Sequence, residues 1–313
     1  MSAIEIANLS KSYDSIIAVS NLSLTVESGE IVALAGPDGA GKTSLFRSIC
    51  GLIDFDEGLV RIAGYDLRSD FDRIKPILGY MPENFSLYPD LSVEENLKFF
   101  AGIFGVSRSD FETRKRSLYE FSGLGPFAKR RAQYLSGGMK QKLALCCNLV
   151  HQPRVLILDE PTKGVDPLSR RQFWDILRGL CDEGTAILVA TPYMDELAYA
   201  RRTVFMVGGR KLAEGTPEEL VASYRGSVFQ LPRLLESQQV EWLRKSRQLM
   251  VQRVGASTRI RTPRSISPGD LTTILRSIGI DCSGLKQVKP NLEDVFVELI
   301  THQEELGSNG SSS

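Results

Sequence analysis

Three short runs of apolar residues divide the first two thirds of the chain. They cover Ile31–Ala35, Val155–Leu158 and Ala186–Ala190, and no polar residue interrupts any of them. A strand that is buried on both faces has this continuous pattern, whereas a half-exposed strand alternates apolar and polar positions. The three runs therefore predict the centre of a largely parallel sheet.

Segments with helical signals lie between these runs. A helix is predicted over Lys42–Cys50, with Gly51 as its stop, and Ser92-Val-Glu-Glu95 has the form of a capping box that opens a helix through Phe104. Further helices are predicted over 107–121 and from Ser136. Short strands are predicted over 4–9, 16–19 and 22–26. Strands that alternate with helices predict an α/β domain, here with an antiparallel β edge formed by the amino-terminal strands.

The pattern changes near residue 222. Strand-like pieces over 228–231, 248–254 and 258–261 and two helices predict a small α+β appendix over 223–300. The last of these helices places Leu292, Val295, Phe296 and Leu299 on one face. Residues 301–313 are expected to be a flexible tail, because the chain ends in glycine, serine and asparagine alone.

Composition excludes several classes of protein. Among 313 residues, 38 basic and 38 acidic side chains give a formal charge of zero, which provides no general attraction to nucleic acid. The five cysteines include no Cys-x-x-Cys pair, so neither a zinc ribbon nor a redox pair is indicated. With no secretory signal and no run of 18 apolar residues, we expect a cytoplasmic chain that does not itself cross a membrane.

A glycine-rich segment follows the first apolar run. Gly36-Pro-Asp-Gly-Ala-Gly-Lys-Thr43 fits the phosphate-binding pattern Gly-x₄-Gly-Lys-Thr, placed between a predicted strand and a predicted helix. Backbone N–H groups and the helix N-terminus would hold the phosphates of ATP, Lys42 would supply positive charge, and Thr43 a hydroxyl to Mg²⁺. The predicted ATP-binding residues are Tyr13, Gly36, Pro37, Asp38, Gly39, Ala40, Gly41, Lys42, Thr43 and Ser44.

Two acids end the second apolar run. Asp159 is placed to hold Mg²⁺, and Glu160 to polarise an attacking water. Two acids after a strand can also be a helix cap or a solvated end, but their distance from a phosphate loop favours a nucleotide site.

Leu135-Ser-Gly-Gly-Met-Lys-Gln141 resembles the signature sequence of ATP-binding cassette (ABC) proteins. The resemblance covers about residues 3–220 and is greatest to the first cassette of tandem bacterial multidrug-export ATPases. It implies a P-loop cassette over 1–222 with a helical subdomain at about 84–150, and a head-to-tail dimer. Ser136, Gly137, Gly138 and Gln141 would contact ATP on a second cassette. It also implies that Tyr13 stacks on adenine and that Asp166 belongs to the D-loop. Ser136 can equally be a plain helix cap.

Two positions depart from the family pattern. Glu83 stands where the Q-loop has glutamine; it can ligate Mg²⁺ with Thr43 and Asp159, but it adds a third carboxylate beside Glu160. Glutamate and glutamine are close in shape, so the loop can equally need only an acceptor. Pro192 stands where the family has a switch histidine, and it has no donor.

The chain's two histidines, His151 and His302, are not placed to replace the missing switch histidine. We therefore expect slow hydrolysis at a site whose catalytic residues would be Lys42, Glu160 and Glu83. In a dimer, this chain would be the weakly hydrolytic cassette. A heterodimer is favoured, and a homodimer is possible.

The favoured function is the ATP-binding subunit of an ABC exporter, peripheral on the inner face of the cell membrane and bound to a permease. A non-transport cassette ATPase and a regulatory pseudo-ATPase are the alternatives. The former is disfavoured by the absence of a long coiled coil, a zinc insertion or a second cassette in this sequence. The altered residues Glu83 and Pro192 favour the latter mildly. The transported substrate and the direction of transport are not encoded in these motifs.

Overall fold

The computed structural model describes residues 2–84, 87–247, 249–263 and 265–309. The chain divides into two compact units, Met1–Pro217 and Glu218–Ser313. The sequence predicts a boundary a few residues later, between 222 and 223. Gln248, where we expected a strand to begin, lies outside the described residues.

The strands are β1 (Ser2–Tyr13), β2 (Ile16–Glu27), β3 (Ile31–Ala35), β4 (Glu57–Ile62), β5 (Tyr65–Asp66), β6 (Leu78–Met81), β7 (Val155–Asp159), β8 (Ala186–Ala190), β9 (Arg202–Val207), β10 (Arg210–Gly215), β11 (Ser227–Leu231), β12 (Met250–Val254), β13 (Ser257–Thr262) and β14 (Lys286–Val288). The α-helices are α1 (Lys42–Ile49), α2 (Phe71–Ile74), α3 (Val93–Ile103), α4 (Arg108–Ser122), α5 (Gly137–Leu149), α6 (Pro167–Asp182), α7 (Pro217–Ala222), α8 (Ser237–Arg247), α9 (Pro268–Ser277) and α10 (Leu292–Asn309).

A mostly parallel sheet forms the centre of the first unit. Within the described residues its order is β10-β9-β3-β8-β7-β6, and only the edge strand β10 pairs antiparallel. Every residue of β3, β7 and β8 is buried. The prediction of a parallel sheet built on three apolar runs is confirmed.

A second sheet in the first unit has the order β2-β1-β4-β5 and is antiparallel. This confirms the antiparallel β edge, but the separate strands predicted over 16–19 and 22–26 are one strand, β2. The prediction of a break was wrong because Asn21 takes a left-handed φ of 49° without ending the pairing. Its N–H donates to the Ser10 hydroxyl at 3.1 Å, which keeps β1 and β2 joined there.

Three helices, α3, α4 and α5, lie between β6 and β7 in the chain. The predicted capping box is present, because the Ser92 hydroxyl accepts from the Glu95 N–H and the Glu95 carboxylate accepts from the Ser92 N–H. Helix α4 begins after the Ser107 cap and ends at Gly123, whose φ is 72°. None of the described helices combines the length and the hydropathy needed to span a bilayer.

The second unit contains an antiparallel sheet of order β12-β13-β11-β14, with α8, α9 and α10 around a separate apolar core. The sequence predicts two helices here, whereas the described part of this unit forms three, since the largely polar segment of α8 carries a weak periodic signal. Leu292, Val295 and Phe296 are buried on α10, as the periodicity predicts, while Leu299, the fourth residue of the predicted face, is half-buried. Helix α10 continues to Asn309, past residue 301 where we expected a tail.

Candidate functional site

The glycines of the loop between β3 and α1 are required by close packing. A Cβ on Gly36 would lie 2.1 Å from the Met206 carbonyl oxygen, and one on Gly41 would lie 2.0 Å from that of Ala18. Gly41 also has a φ of 98°, a region that side chains disfavour. The loop is thus held between β9 and β2, with the N-terminus of α1 opening directly from it.

Lys42 lies almost completely buried within this loop. Its ammonium donates to the carbonyl oxygens of Gly36 at 2.8 Å and Pro37 at 3.0 Å, and it lies 3.7 Å from Glu160 Oε1. The two carbonyls accept hydrogen bonds from two of the three ammonium donors, whereas the Glu160 carboxylate is close enough for an ion pair only. A phosphate could take over from the carbonyls, which are neutral and compete weakly with an anion.

Asp159 ends β7 with only 1% of its surface exposed. Both of its carboxylate oxygens are buried without a hydrogen-bond partner in the structure. Burial raises the pKa of Asp159, the Thr43 hydroxyl lowers it in part, and the charges of Glu160 and Glu83 raise it further. A buried carboxylate in this condition is stabilised either by protonation or by a nearby cation.

Mg²⁺ would fit such a site, and Asp159 and Thr43 could each supply a protein oxygen to it. Among the described residues, no group of three or more acids, histidines or cysteines is close enough to form a complete metal site. Mg²⁺ commonly takes one or two protein oxygens together with water and nucleotide phosphates, so a preassembled cage is not needed.

Glu160 follows Asp159 in a left-handed conformation with φ of 51°. Its N–H still donates to the Ala190 carbonyl at 3.0 Å, so β7 and β8 stay paired up to this point. The turn directs the carboxylate to Lys42 and to Lys163, whose ammonium lies 3.1 Å from Glu160 Oε2. The general-base candidate is therefore 6% exposed and is flanked by two lysines.

Glu83 contacts Lys163 as well. The Lys163 ammonium donates to Glu83 Oε1 at 2.7 Å and so bridges Glu83 and Glu160. Both carboxylates raise the pKa of Lys163, which keeps it charged. Sequence reasoning placed a third carboxylate here but missed this lysine; the available signal was a basic residue three positions after Glu160, within the same turn.

The signature segment lies beside the D-loop. Ser136 is the cap of α5 and accepts from the Met139 N–H at 3.3 Å, while Asp166 caps α6 and accepts from the Ser169 N–H at 2.9 Å. A Cβ on Gly138 would lie 2.7 Å from the Ser169 hydroxyl oxygen. Ser136 is thus a helix cap, as one interpretation of the sequence predicts, and Gly138 is needed for close approach of α5 to α6.

Ser136 and Gly137 are exposed, and Gln141 is half-buried. Among the described residues, no hydrogen bond or ion pair links 136–141 to the phosphate loop at 36–44. In the described part of the chain, the signature segment at 136–141 is therefore not joined to the chain's own phosphate loop by hydrogen bonds or ion pairs.

The segment after β8 carries Pro192, which is half-buried. The adjacent Thr191 hydroxyl donates to Glu196, and so does the hydroxyl of Thr162 at 2.8 Å from Oε1. Burial raises the pKa of Glu196, and these hydroxyls and Arg170 lower it in part. Sequence reasoning missed Glu196, which joins the turn after β7 to the segment after β8.

Tyr13 and His151 have contacts of their own. Tyr13 ends β1 with 42% of its surface exposed, and the Lys11 ammonium lies 5.2 Å from its ring centroid. His151 stacks on Phe104 at 3.7 Å and contacts the carbonyl of Leu78, the first residue of β6. Leu78 lies at the amino-terminal end of β6, whereas Asp159 lies at the carboxyl end of the neighbouring strand β7. The side chain of His302 lies outside the described residues.

Comparison with known proteins gives consistent matches. A family model described as ABC transporter matches residues 19–163. The "Probable multidrug ABC transporter ATP-binding protein YbhF" of Escherichia coli is 38% identical over 94% of this chain, which spans only 50% of that relative. The "Nod factor export ATP-binding protein I" of Sinorhizobium fredii is 35% identical over 95% of this chain and 85% of its own length.

The fold agrees with these matches. A solved "Structure of ATP binding subunit of ABC transporter" superimposes with a TM-score of 0.64 at 30% identity, covering 70% of this chain and 92% of that one. The chain belongs to the ABC transporter family, as one of its ATP-binding cassettes.

Proposed function

We propose that this chain is the ATP-binding and ATP-hydrolysing subunit of an ABC exporter. The observation that carries the proposal is the cluster of Lys42, Asp159 and Glu160, in which a buried lysine and a partnerless buried carboxylate converge beside a glycine loop. The buried ammonium of Lys42 can bind an anion, and the buried carboxylate of Asp159 can bind a cation. Mg·ATP supplies both the phosphates and the metal ion.

Each residue has a separate role in the proposed reaction. The loop N–H groups and Lys42 bind the phosphates, and Asp159 and Thr43 hold the Mg²⁺, which neutralises charge on the phosphates when bound. Glu160 accepts a hydrogen bond from the attacking water and orients it. Tyr13, exposed at the end of β1, is available to stack on the adenine.

Hydrolysis at this chain's own site is proposed to be slow. Pro192 offers neither a side-chain donor nor an N–H, and Tyr193 beside it packs its ring 4.2 Å from the Arg170 guanidinium. His151 contacts Leu78 at the amino-terminal end of β6, away from the carboxyl strand ends where Asp159 and Pro192 lie. Loss of one preorganised donor lowers a rate by about 10²–10³-fold.

The exposed signature supports a two-cassette assembly, with Ser136 and Gly137 free to meet ATP on a second cassette. A heterodimer follows if that partner carries its own switch histidine, and this chain then completes the hydrolytic site. A permease partner and a position on the inner face of the membrane are inferred from the transporter names of both relatives, and export from the name of the Nod factor relative.

Nucleotide binding and turnover test the proposal separately. The full chain should bind a fluorescent ATP analogue with Mg²⁺, and Lys42→Ala should abolish that binding. Turnover should be slow for the chain alone and fast with a partner cassette. Glu160→Gln should keep binding and lose the chain's own turnover.

Brisk turnover by the chain alone, abolished by Glu160→Gln, would refute the weak-site proposal. Binding without turnover in any two-cassette assembly would favour the pseudo-ATPase.

A further inference from the structure

The strand register brings Glu83 and Glu160 to the same level. Strands β6 and β7 are parallel neighbours in which Met81 pairs with Leu158. Glu83 and Glu160 each lie two residues beyond this pair, so they follow the ends of neighbouring strands side by side, with Asp159 adjacent. Three carboxylates thus lie at the carboxyl ends of these two strands. The negative charge of Glu83 contributes to the raised pKa of Asp159.

Lys163 reaches both outer members of this carboxylate group. It lies in the turn after β7, where its N–H donates to the Glu160 carbonyl at 3.1 Å. This turn folds the Lys163 side chain back over its own strand end. The ammonium lies 2.7 Å from Glu83 and 3.1 Å from Glu160, so one cation spans two carboxylates from neighbouring strands.

We propose that Lys163 is a positioning residue of the nucleotide site, which fixes Glu83 against Glu160 and balances the negative charge of a glutamate at this loop position. The inference rests on the proposed function, since it concerns the same Mg·ATP site. In this arrangement Glu83 presents an acceptor oxygen without adding net negative charge next to the triphosphate.

The geometry separates this bridge from an ordinary surface ion pair. Lys163 is 48% exposed and Glu83 is 37% exposed, so their contact alone would be weak in water. The side chain of Glu160, however, is only 7% exposed, and the Lys42 ammonium lies 3.7 Å from its carboxylate. The bridge therefore acts on a buried catalytic carboxylate, where a charge is screened much less than at the surface.

Four full-length proteins test the coupling: wild type, Lys163→Ala, Glu83→Gln and the double variant. The readout is the Kd of a fluorescent, non-hydrolysable ATP analogue with Mg²⁺. Lys163→Ala leaves an uncompensated negative charge, so we expect the Kd to rise about three- to tenfold. The double variant has the net charge of the wild type, so its Kd should return to within about twofold of the wild-type value.

Two further variants control the interpretation. Lys163→Arg keeps the positive charge and should bind the analogue nearly as the wild type does. Lys245→Ala removes a more exposed ion pair, Lys245–Glu241 on α8 of the second unit, and should leave the Kd unchanged.

An equal rise of the Kd from Lys163→Ala, whether position 83 carries the native glutamate or the Glu83→Gln substitution, would overturn the inference and leave the proposed function standing. Tighter binding by Lys163→Ala would overturn it too, because Lys163 would then be a restraint. If the wild type binds no Mg·nucleotide, the proposed function and the inference both fail.

Discussion

Asp294 is expected to be the residue on which the second unit depends most. It has no exposed surface, and its carboxylate accepts hydrogen bonds from Arg259 and Arg261 on β13, with Arg261 Nε at 2.6 Å from Oδ1. It also accepts from the Asn291 N–H at 2.8 Å, while Asn291 Oδ1 accepts from the Asp294 N–H at 3.0 Å. This side chain both caps α10 and fastens it to the sheet.

Removing the carboxylate should cost far more than removing a surface charge. Asp294→Ala leaves Arg259 and Arg261, which are 14% and 6% exposed, without their shared counter-ion. Arg261 keeps a bond to Gln252, and Arg259 keeps one to the Lys289 carbonyl. Breaking a buried pair of this kind lowers the free energy of unfolding by about 3–5 kcal/mol.

Hydrogen exchange measured by mass spectrometry can localise this loss. In Asp294→Ala, amides in peptides covering β13 and α10 should exchange about a hundredfold faster or more, because each 1.4 kcal/mol is a factor of ten. The free energy of unfolding of the unit sets the upper limit of this increase. Glu241→Ala, which removes the exposed partner of Lys245, is the matched control and should change exchange by a small factor. Equal exchange in the two variants would refute the reasoning.

The same carboxylate predicts the acid response of this unit. Burial raises the pKa of Asp294, but the hydrogen bond from Arg259, the Asn291 amide and the charge of Arg261 together hold it below the ordinary value of 3.8. A depressed folded-state pKa gives stability that is present above the unfolded value and is lost as pH falls through the folded value. Protection of α10 should therefore hold at pH 5 and fall only below about pH 4; loss between pH 7 and pH 5 would contradict this.

Two further substitutions test the proposed division of labour between cassettes. Pro192→His introduces a donor after β8, and we expect turnover at the chain's own site to rise by an order of magnitude or more, on the order of the loss that a missing donor causes; an unchanged ATPase rate would show that another residue limits hydrolysis. Gly138→Ala places a Cβ 2.7 Å from the Ser169 hydroxyl. It should lower turnover of the two-cassette complex while leaving ATP binding by this chain intact, whereas Gly102→Ala, with nothing within 4 Å of its Cβ, should change neither.

Features encoded by neighbouring residues were predictable from the sequence. The continuous apolar runs predicted β3, β7 and β8, because burial on both faces leaves no polar position. The spacing of Gly36, Gly41 and Lys42 predicted the loop, because the whole pattern lies within eight consecutive residues. The close packing that requires the two glycines, against Met206 and Ala18, is visible only in the structure.

Features that depend on distant partners were not predictable. Glu196 reads as one more acid in a polar turn, yet it is 1% exposed, because two threonines from separate segments supply its hydrogen bonds. Helix α8 reads as polar, yet Leu243 is completely buried in the core of the second unit. Lys163 shows its role only once β6 is known to lie beside β7.

The two departures from the family pattern have different physical consequences. Glu83 retains an acceptor oxygen, and Lys163 supplies the charge that compensates its carboxylate. Pro192 removes a donor, and the one histidine whose side chain is described, His151, contacts Leu78 at the opposite, amino-terminal end of the parallel strands. The proposed binding groups are thus charge-balanced, while the histidine donor is absent and Glu160 is left to orient the attacking water without it. We therefore expect this site to hold Mg·ATP for longer before hydrolysis than a cassette site that has a switch histidine.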